Sequence, residues 1–481
     1  MTNPTRTGSL SDRRWRVLAV TGAGAFMGPL DVTVVALALP DMGRDLGLSF
    51  SSAIWVQAAY LLAYALVLVP AGRLADQIGR MRLWRFGVVI FALSSLAAGL
   101  ATNTGWLLGA RAVQGCGGAI LAATSTALVT SVFPPHERGR ALGLNVMTLY
   151  LGLATGPLVG GVITQHLGWR WIFLVNLPVA IAELIGSLGL REPRPDAGRP
   201  RLDPLGTLLL GCSLAGLMIG LTFSPLWGWS SPRALGLVAA GAISLAAFVA
   251  TELRTPAPLL DLAMFRESRL FAMANLAALL NYTAMFGTIL LTAVLLEVAG
   301  GLSPTHAGLI MVIQPAVMVA LSPVAGRLSD RVGSRALATS GMVLVAGGLA
   351  VLSRVPQTVP AGWVMTGLAI VGVGMAGFSS PNTSAVMGSV RPHQFGVASG
   401  VLAEMRTLGQ SLSLALLGTL AAAPLGATGA RVLFGGSGGR HEAKYVDGYH
   451  LAMTVGAIIA LVGAGLSVVR GAQPAAAVAT P

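Results

Sequence analysis

Four ionisable side chains, Asp31, Arg111, Glu183 and Glu404, stand well inside long apolar runs of the chain. An ionisable group held away from water is costly, so each is a candidate for moving or binding charge. Asp31 lies nine residues before Pro40, and Arg111 five residues after Trp106. At 1.5 Å per helical residue, these are depths of about 13 and 8 Å from the same side, compatible with contact. Two kinds of chemistry fit such a pair. It can be a static ion pair in which each charge makes the other tolerable. It can also be a carboxyl that exchanges its proton, since burial favours the neutral acid and Arg111 favours the anion. Glu404 sits about 13 Å from Phe395, near mid-depth, and Arg406 projects about 200° away around the same helix. Glu404 is therefore expected either to select a bound compound or to pair with another helix, and Glu183 is a weaker candidate of the same kind. Glu252 and Glu297 lie near the ends of runs and are assigned no role.

Polar and aromatic residues in the same runs could line an apolar cavity. Gln57, Tyr60, Asn145, Tyr150, Gln314 and Phe378 are the main candidates, with Trp55, Tyr282 and Phe286 as further aromatic residues. The alternative for each is ordinary packing against a neighbour or lipid. Gly152, Gly156 and Gly160 are spaced four apart, which gives one smooth helix face, and Pro157 removes a backbone donor beside them.

These residues must be positioned by membrane-spanning helices. Of 481 residues, 54% are hydrophobic and 10% charged, and the mean hydropathy is +0.75. The apolar runs are about twenty residues long, enough for a helix to cross about 30 Å of hydrocarbon. They lack the alternation of barrel strands. Fourteen such runs are read, among them 16–40, 52–72, 169–190, 395–421 and 448–470. Of the 31 Lys and Arg, 22 fall in segments on one side, 7 on the other and two inside helices. The positive-inside rule then puts both termini in the cytoplasm and accounts for the net charge of +13 without nucleic acid. A cleaved signal peptide is disfavoured because the first run is too long and contains Asp31 and Thr33. Cys116 and Cys212 both fall inside runs, so no disulfide framework or metal site is indicated.

The helices leave little chain for a water-soluble domain. The single lysine, Lys444 in HEAKYVD, cannot form a phosphate loop, which excludes ATP as an energy source within this chain. The stretch 422–447 reads as a flexible outer loop. A charged segment, GRLADQIGRMR at 72–82, returns as GRLSDRVGSRA at 326–336, again after an apolar run. The copy comes after the tenth run instead of the eighth, so two six-helix halves with two helices inserted between them are expected. The boundaries read as an N-terminal bundle over 1–191, a linker with two extra helices over 192–255 and a C-terminal bundle over 256–481. Gly72, Arg73, Asp76, Gly79, Arg80 and Arg82 form either a topology signal or a conformational latch, with Gly72 allowing the exit from the second helix.

With these residues in place, the chain resembles the major facilitator superfamily and, within it, the fourteen-helix drug:proton antiporters. GRLADQIGRMR resembles that superfamily's signature loop, and LDVTVVALALP (30–40) its first-helix motif, with Ala36 where Asn is common. LGARAVQGCGG (108–118) resembles the fourth-helix motif, and LGLATGPLVGG (151–161), which includes Gly161, the antiporter motif. WVQAAYLLA, FPPHERGRALG and WRWIFLVNLP add to the likeness. The resemblance implies an all-α membrane protein that exports lipophilic, cationic or neutral compounds by alternating access, driven by the proton gradient without a cofactor. It implies Asp31 and Arg111 as the coupling groups. Its partners are then small-molecule substrates, protons and the bilayer of the inner (plasma) membrane, and a monomer is expected. A dedicated exporter of one metabolite, antibiotic or lipid is the alternative, and a non-transporting scaffold or sensor a more distant one.

Overall fold

A computed structural model describes residues 5–190, 203–228, 230–255, 258, 263–391, 394–426, 429, 433–435 and 440–470. Among these there is no strand. Fourteen segments form the framework: α1 Thr5–Leu46, α2 Phe50–Ile78, α3 Arg80–Gly99, α4 Thr104–Val132 and α5 Pro135–Leu167; α6 Trp171–Ser187; α7 Pro204–Trp227 and α8 Pro232–Glu252; α9 Arg269–Ala299 and α10 Pro304–Ser329; and α11 Ser334–Leu352, α12 Ala361–Gly388, α13 Phe395–Ala422 and α14 Arg440–Val469. Thirteen contain a stretch long and apolar enough to cross a membrane, and α6 is a shorter apolar segment. Three segments are interrupted: α6 at Val175, α9 at Phe286 with a π-helical end at Leu295–Ala299, and α10 at Val312.

Helix starts follow local hydrogen-bond chemistry. Ser49, Asn103, Asp203 and Ser268 each accept a backbone N–H in the first turn of the helix they precede, satisfying a donor that has no partner within the helix. The pairings within each half repeat at an offset of eight. α1 packs on α5, α2 on α4, α3 on α4 and α3 on α6; correspondingly, α9 packs on α13, α10 on α12, α11 on α12 and α11 on α14. α7 and α8 pack on one another, and α7 lies against both α2 and α13. α7 thus covers the seam where these two helices meet, and α8 packs on α7. The domain limits expected at 192 and 256 fall outside the described residues.

The repeated charged segment has a different local shape from the one expected. Gly72 lies inside α2, and the chain reverses only at Gly79, whose φ of +102° is open to glycine at little cost. Gly333, with φ +88°, makes the same turn between α10 and α11. Apolar and polar residues in LADQI continue the α2 helical pattern, so the membrane exit and the helix end do not coincide. The expectation of a flexible loop at 422–447 is corrected for its described residues, the rest of the stretch lying outside them. α14 begins at Arg440, and Phe434 is buried against Phe50, with ring centroids 6.4 Å apart. The pair Leu433–Phe434 supplies the apolar surface that docks this segment.

Candidate functional site

Asp31 and Arg111 meet. Asp31 is 2% exposed and Arg111 0%, and Arg111 Nη1 donates to Asp31 Oδ2 at 2.5 Å. Around them is a shell from four helices. Gln114 Nε2 donates to Asp31 Oδ1 at 2.9 Å and to Ser95 Oγ at 2.8 Å. Asn176 Nδ2, at the break in α6, donates to the same Oδ1 at 3.3 Å. Arg111 also donates through Nη1 to Gln114 Oε1 at 2.5 Å and through Nε to the Val56 carbonyl at 2.9 Å. Its guanidinium lies 4.6 Å from the centre of the Tyr60 ring, a cation–π contact worth about 0.5–2 kcal/mol. One nitrogen, Nη2, has no partner.

Gln114 and Asn176 were not singled out from the sequence. Gln114 carries a readable signal, because its i+3 spacing from Arg111 puts both on one helix face. Asn176 carries none, since only the interruption of α6 aims it at Asp31. The glycines of LGARAVQGCGG make room for this cluster: a methyl at Gly115 would overlap the Tyr60 carbonyl, and one at Gly118 the Tyr60 hydroxyl.

The cavity candidates divide. Tyr60, 2% exposed, supports Arg111 inside the first half, and Gln57 donates to the Val32 carbonyl at 2.7 Å, also inside that half. Phe378, 1% exposed, belongs to a core cluster built mainly from the second half that also takes in Ala65 of α2 and Leu210 of α7. All three side chains are buried in this state. Asn145 and Gln314 are buried; the Gln314 backbone packs on Gly372 of α12. Trp55 stacks on Phe223 of α7, at 6.2 Å between ring centres. Tyr150 does cross between halves, its hydroxyl 3.2 Å from Ser379 Oγ of α12. The Tyr282 hydroxyl of α9 lies near Ser379. Arg406 of α13 reaches the same place: its Nη2 donates to Thr383 Oγ1 at 2.8 Å, and its guanidinium lies 5.8 Å from the Tyr282 ring centre.

Glu404 faces elsewhere. It is 0% exposed, neither carboxylate oxygen has a hydrogen-bond partner, and it interacts electrostatically with Tyr64 of α2. It therefore sits on the α2 side of α13, at the seam between halves. Glu183 is likewise unpartnered, and so is Trp84 Nε1; a methyl on Gly24 of α1 would lie 3.6 Å from each. An unpaired buried carboxylate costs several kcal/mol, so neither Glu404 nor Glu183 is stable there without a proton or a partner that another state provides.

The glycine motif has two working faces. A methyl at Gly152, Gly156 or Gly160 would overlap Phe26, Thr33 or Val34 of α1. One at Gly161 would overlap the Pro304 carbonyl of α10, and Gly308 of α10 rests on the carbonyl of Pro157 in the same way. The two halves thus close tightly at the end of the bundle farthest from Gly79 and Gly333. At the opposite end, Arg73 donates to the carbonyl of Pro258 beyond the inserted helices, Arg80 donates to the Ala127 carbonyl at 3.3 Å, and Arg82 is exposed. The Asp76 side chain lies outside the described residues.

Two bundles repeated around a common seam, with a charged turn after the second helix of each, define a secondary-transporter fold. The chain belongs to the Major Facilitator Superfamily, whose model matches residues 21–414 and 276–479. It is 34% identical over 412 residues to the multidrug resistance protein Stp of Mycobacterium tuberculosis, covering 85% of this chain and 76% of that one. It is 30% identical over 507 residues to the tetracenomycin C resistance and export protein of Streptomyces glaucescens, covering 98% and 94%. Among solved structures, a bacterial homologue of the human lysosomal transporter Spinster shares the fold, with TM-score 0.67 at 17% identity over 95% of this chain and 97% of that one. The protein is a multi-pass membrane transporter of this superfamily.

Proposed function

We propose that the protein is a proton-driven exporter of lipophilic compounds in the plasma membrane, with both termini cytoplasmic. The orientation rests on the excess of Lys and Arg on the Gly79 side. On that orientation the tight Gly161–Pro304 end is the outer one. The observation that carries the coupling is the hydrogen-bond shell of Arg111, which keeps the Val56 carbonyl and Gln114 Oε1 as acceptors beside Asp31. These two neutral acceptors stay with the guanidinium whatever the charge on Asp31. Asp31 exchanges the proton, Arg111 sets how tightly it is held, and Gly152, Gly156, Pro157, Gly160 and Gly161 form the seal against leak. Arg73 belongs to the latch at the cytoplasmic end. The names of the relatives support export of antibiotics or other foreign compounds.

The test is reconstitution into liposomes under an imposed pH gradient, recording substrate-driven proton release. Asp31→Asn is expected to bind substrate and lose the release; coupled exchange that persists in the variant removes Asp31 from the mechanism. Export of a single compound is the second reading, favoured by likeness over nearly the whole chain to a relative named for one compound. A panel of unrelated dyes and antibiotics separates the two, because resistance confined to one member supports the second.

A further inference from the structure

Arg406 is a membrane-embedded cation of a different kind from Arg111. It lies eleven residues into α13 from Phe395, about 16 Å along the helix axis. Arg111 has a carboxylate at 2.5 Å. Arg406, among the described residues, has none within ion-pair distance. Its contacts are the neutral Thr383 hydroxyl and the face of the Tyr282 ring, and its buried Nε has no hydrogen-bond partner. Glu404, two positions earlier, points around the other side of α13 toward Tyr64 and does not supply the missing charge. Arg406 is half-buried, so its free donors are open to a ligand, and a carboxylate or sulfonate is the group that pairs most strongly with a guanidinium at this depth.

The surroundings describe what that anion is attached to. Tyr282 and Tyr150 present aromatic surface, and Ser379 and Thr383 present hydroxyls one helical turn apart on α12. Tyr150 belongs to the first half and the other three to the second, so a molecule held here touches both bodies that must move. This is the place in the fold where binding can be linked to the change of state.

We propose that Arg406 is a specificity-determining residue that pairs with an acidic group on the transported compound, so that the site takes lipophilic aromatic anions in preference to cations. This deepens the exporter reading and rests on it. This substrate class differs from the cationic or neutral compounds that the family resemblance implies. Thr383 holds the guanidinium in the site until the ligand arrives, and the two tyrosines pack against the aromatic body.

The experiment uses the full chain in liposomes and two dyes that share a skeleton, 8-anilinonaphthalene-1-sulfonate, an anion, and N-phenyl-1-naphthylamine, which is neutral, together with cationic ethidium. Binding is read by fluorescence and movement by the response to a pH gradient. Wild type is expected to bind the sulfonate at least tenfold more tightly than the neutral dye. Arg406→Gln is expected to lose at least tenfold in sulfonate affinity, keep the neutral dye and bind ethidium more tightly, while Arg406→Lys retains much of the preference for the anion. Thr383→Val, which leaves the charge in place, is expected to keep the sulfonate preference. If wild type does not discriminate between the two dyes, or if Arg406→Gln weakens both equally, the proposal is overturned. If the discrimination holds but neither dye moves with the gradient, the exporter reading fails and the anion site stands.

Discussion

Gly308 of α10 rests directly on the carbonyl oxygen of Pro157 in α5, with no room for a methyl group between them. Pro157 cannot continue the helical hydrogen-bond pattern, and a glycine opposite lets the two backbones meet at that point. Gly161 repeats the arrangement one turn on, against Pro304. This contact defines the closed end of the interface.

A bulky side chain should therefore hold that end apart. Gly308→Val and Gly161→Val are expected to lower transport in liposomes at least tenfold. The overpacking cost is about 1–3 kcal/mol, so the variants should remain folded in detergent. Unchanged transport in both would show that this contact is not made during the cycle.

The ion pair makes a separate prediction about stability. Asp31→Ala leaves Arg111 buried without its counter-charge and should cost about 3–5 kcal/mol, seen as a lowered thermal midpoint. Adding Arg111→Leu should recover much of that loss, since a hydrophobic replacement of both partners removes the unpaired charge. A double variant no more stable than Asp31→Ala would mean that the shell of Gln114 and Asn176, not the charge pair, carries the stability.

For Glu404 the expectation is the reverse. Because neither oxygen has a partner, Glu404→Gln, which is nearly isosteric, should change stability by less than about 1.5 kcal/mol. Proton release per transported molecule should fall if this carboxyl takes part in coupling, and stay constant if it only packs at the seam. Measuring stoichiometry with a pH-sensitive dye in the liposome lumen decides it.

The charged turn is expected to respond unevenly. Arg73→Ala removes the contact with Pro258 across the inserted helices and should slow transport, whereas Arg82→Ala, at an exposed position, should leave it within about twofold. Equal effects would point to a role for the segment in membrane topology alone.

A fifth prediction concerns a residue that sequence reading passed over. Arg85 of α3 donates to Ser187 Oγ at 3.0 Å and to the Leu190 carbonyl at 3.1 Å, satisfying carbonyl and hydroxyl groups at the end of α6. Arg85→Ala should cost about 1.5–3 kcal/mol locally. The check is faster amide hydrogen exchange over residues 181–190, with exchange in α2 unaffected.

The sequence alone determined the class of the protein and the offset of its internal repeat, and its fourteen runs come within one of the thirteen described segments long enough to span. These follow from where apolar runs of membrane length start and stop, and that information is local. It also paired Asp31 with Arg111, because two charges at matching depth have few other ways to be tolerated. The tertiary structure decided which way each helix is rotated. That rotation buried Tyr60, Gln57 and Phe378, turned Glu404 to the α2 seam and brought Arg406 beside Tyr282, near Ser379 and Tyr150. A continuous apolar run reads alike on every side of the helix, so the face presented to the opposite half is fixed only when the helices pack.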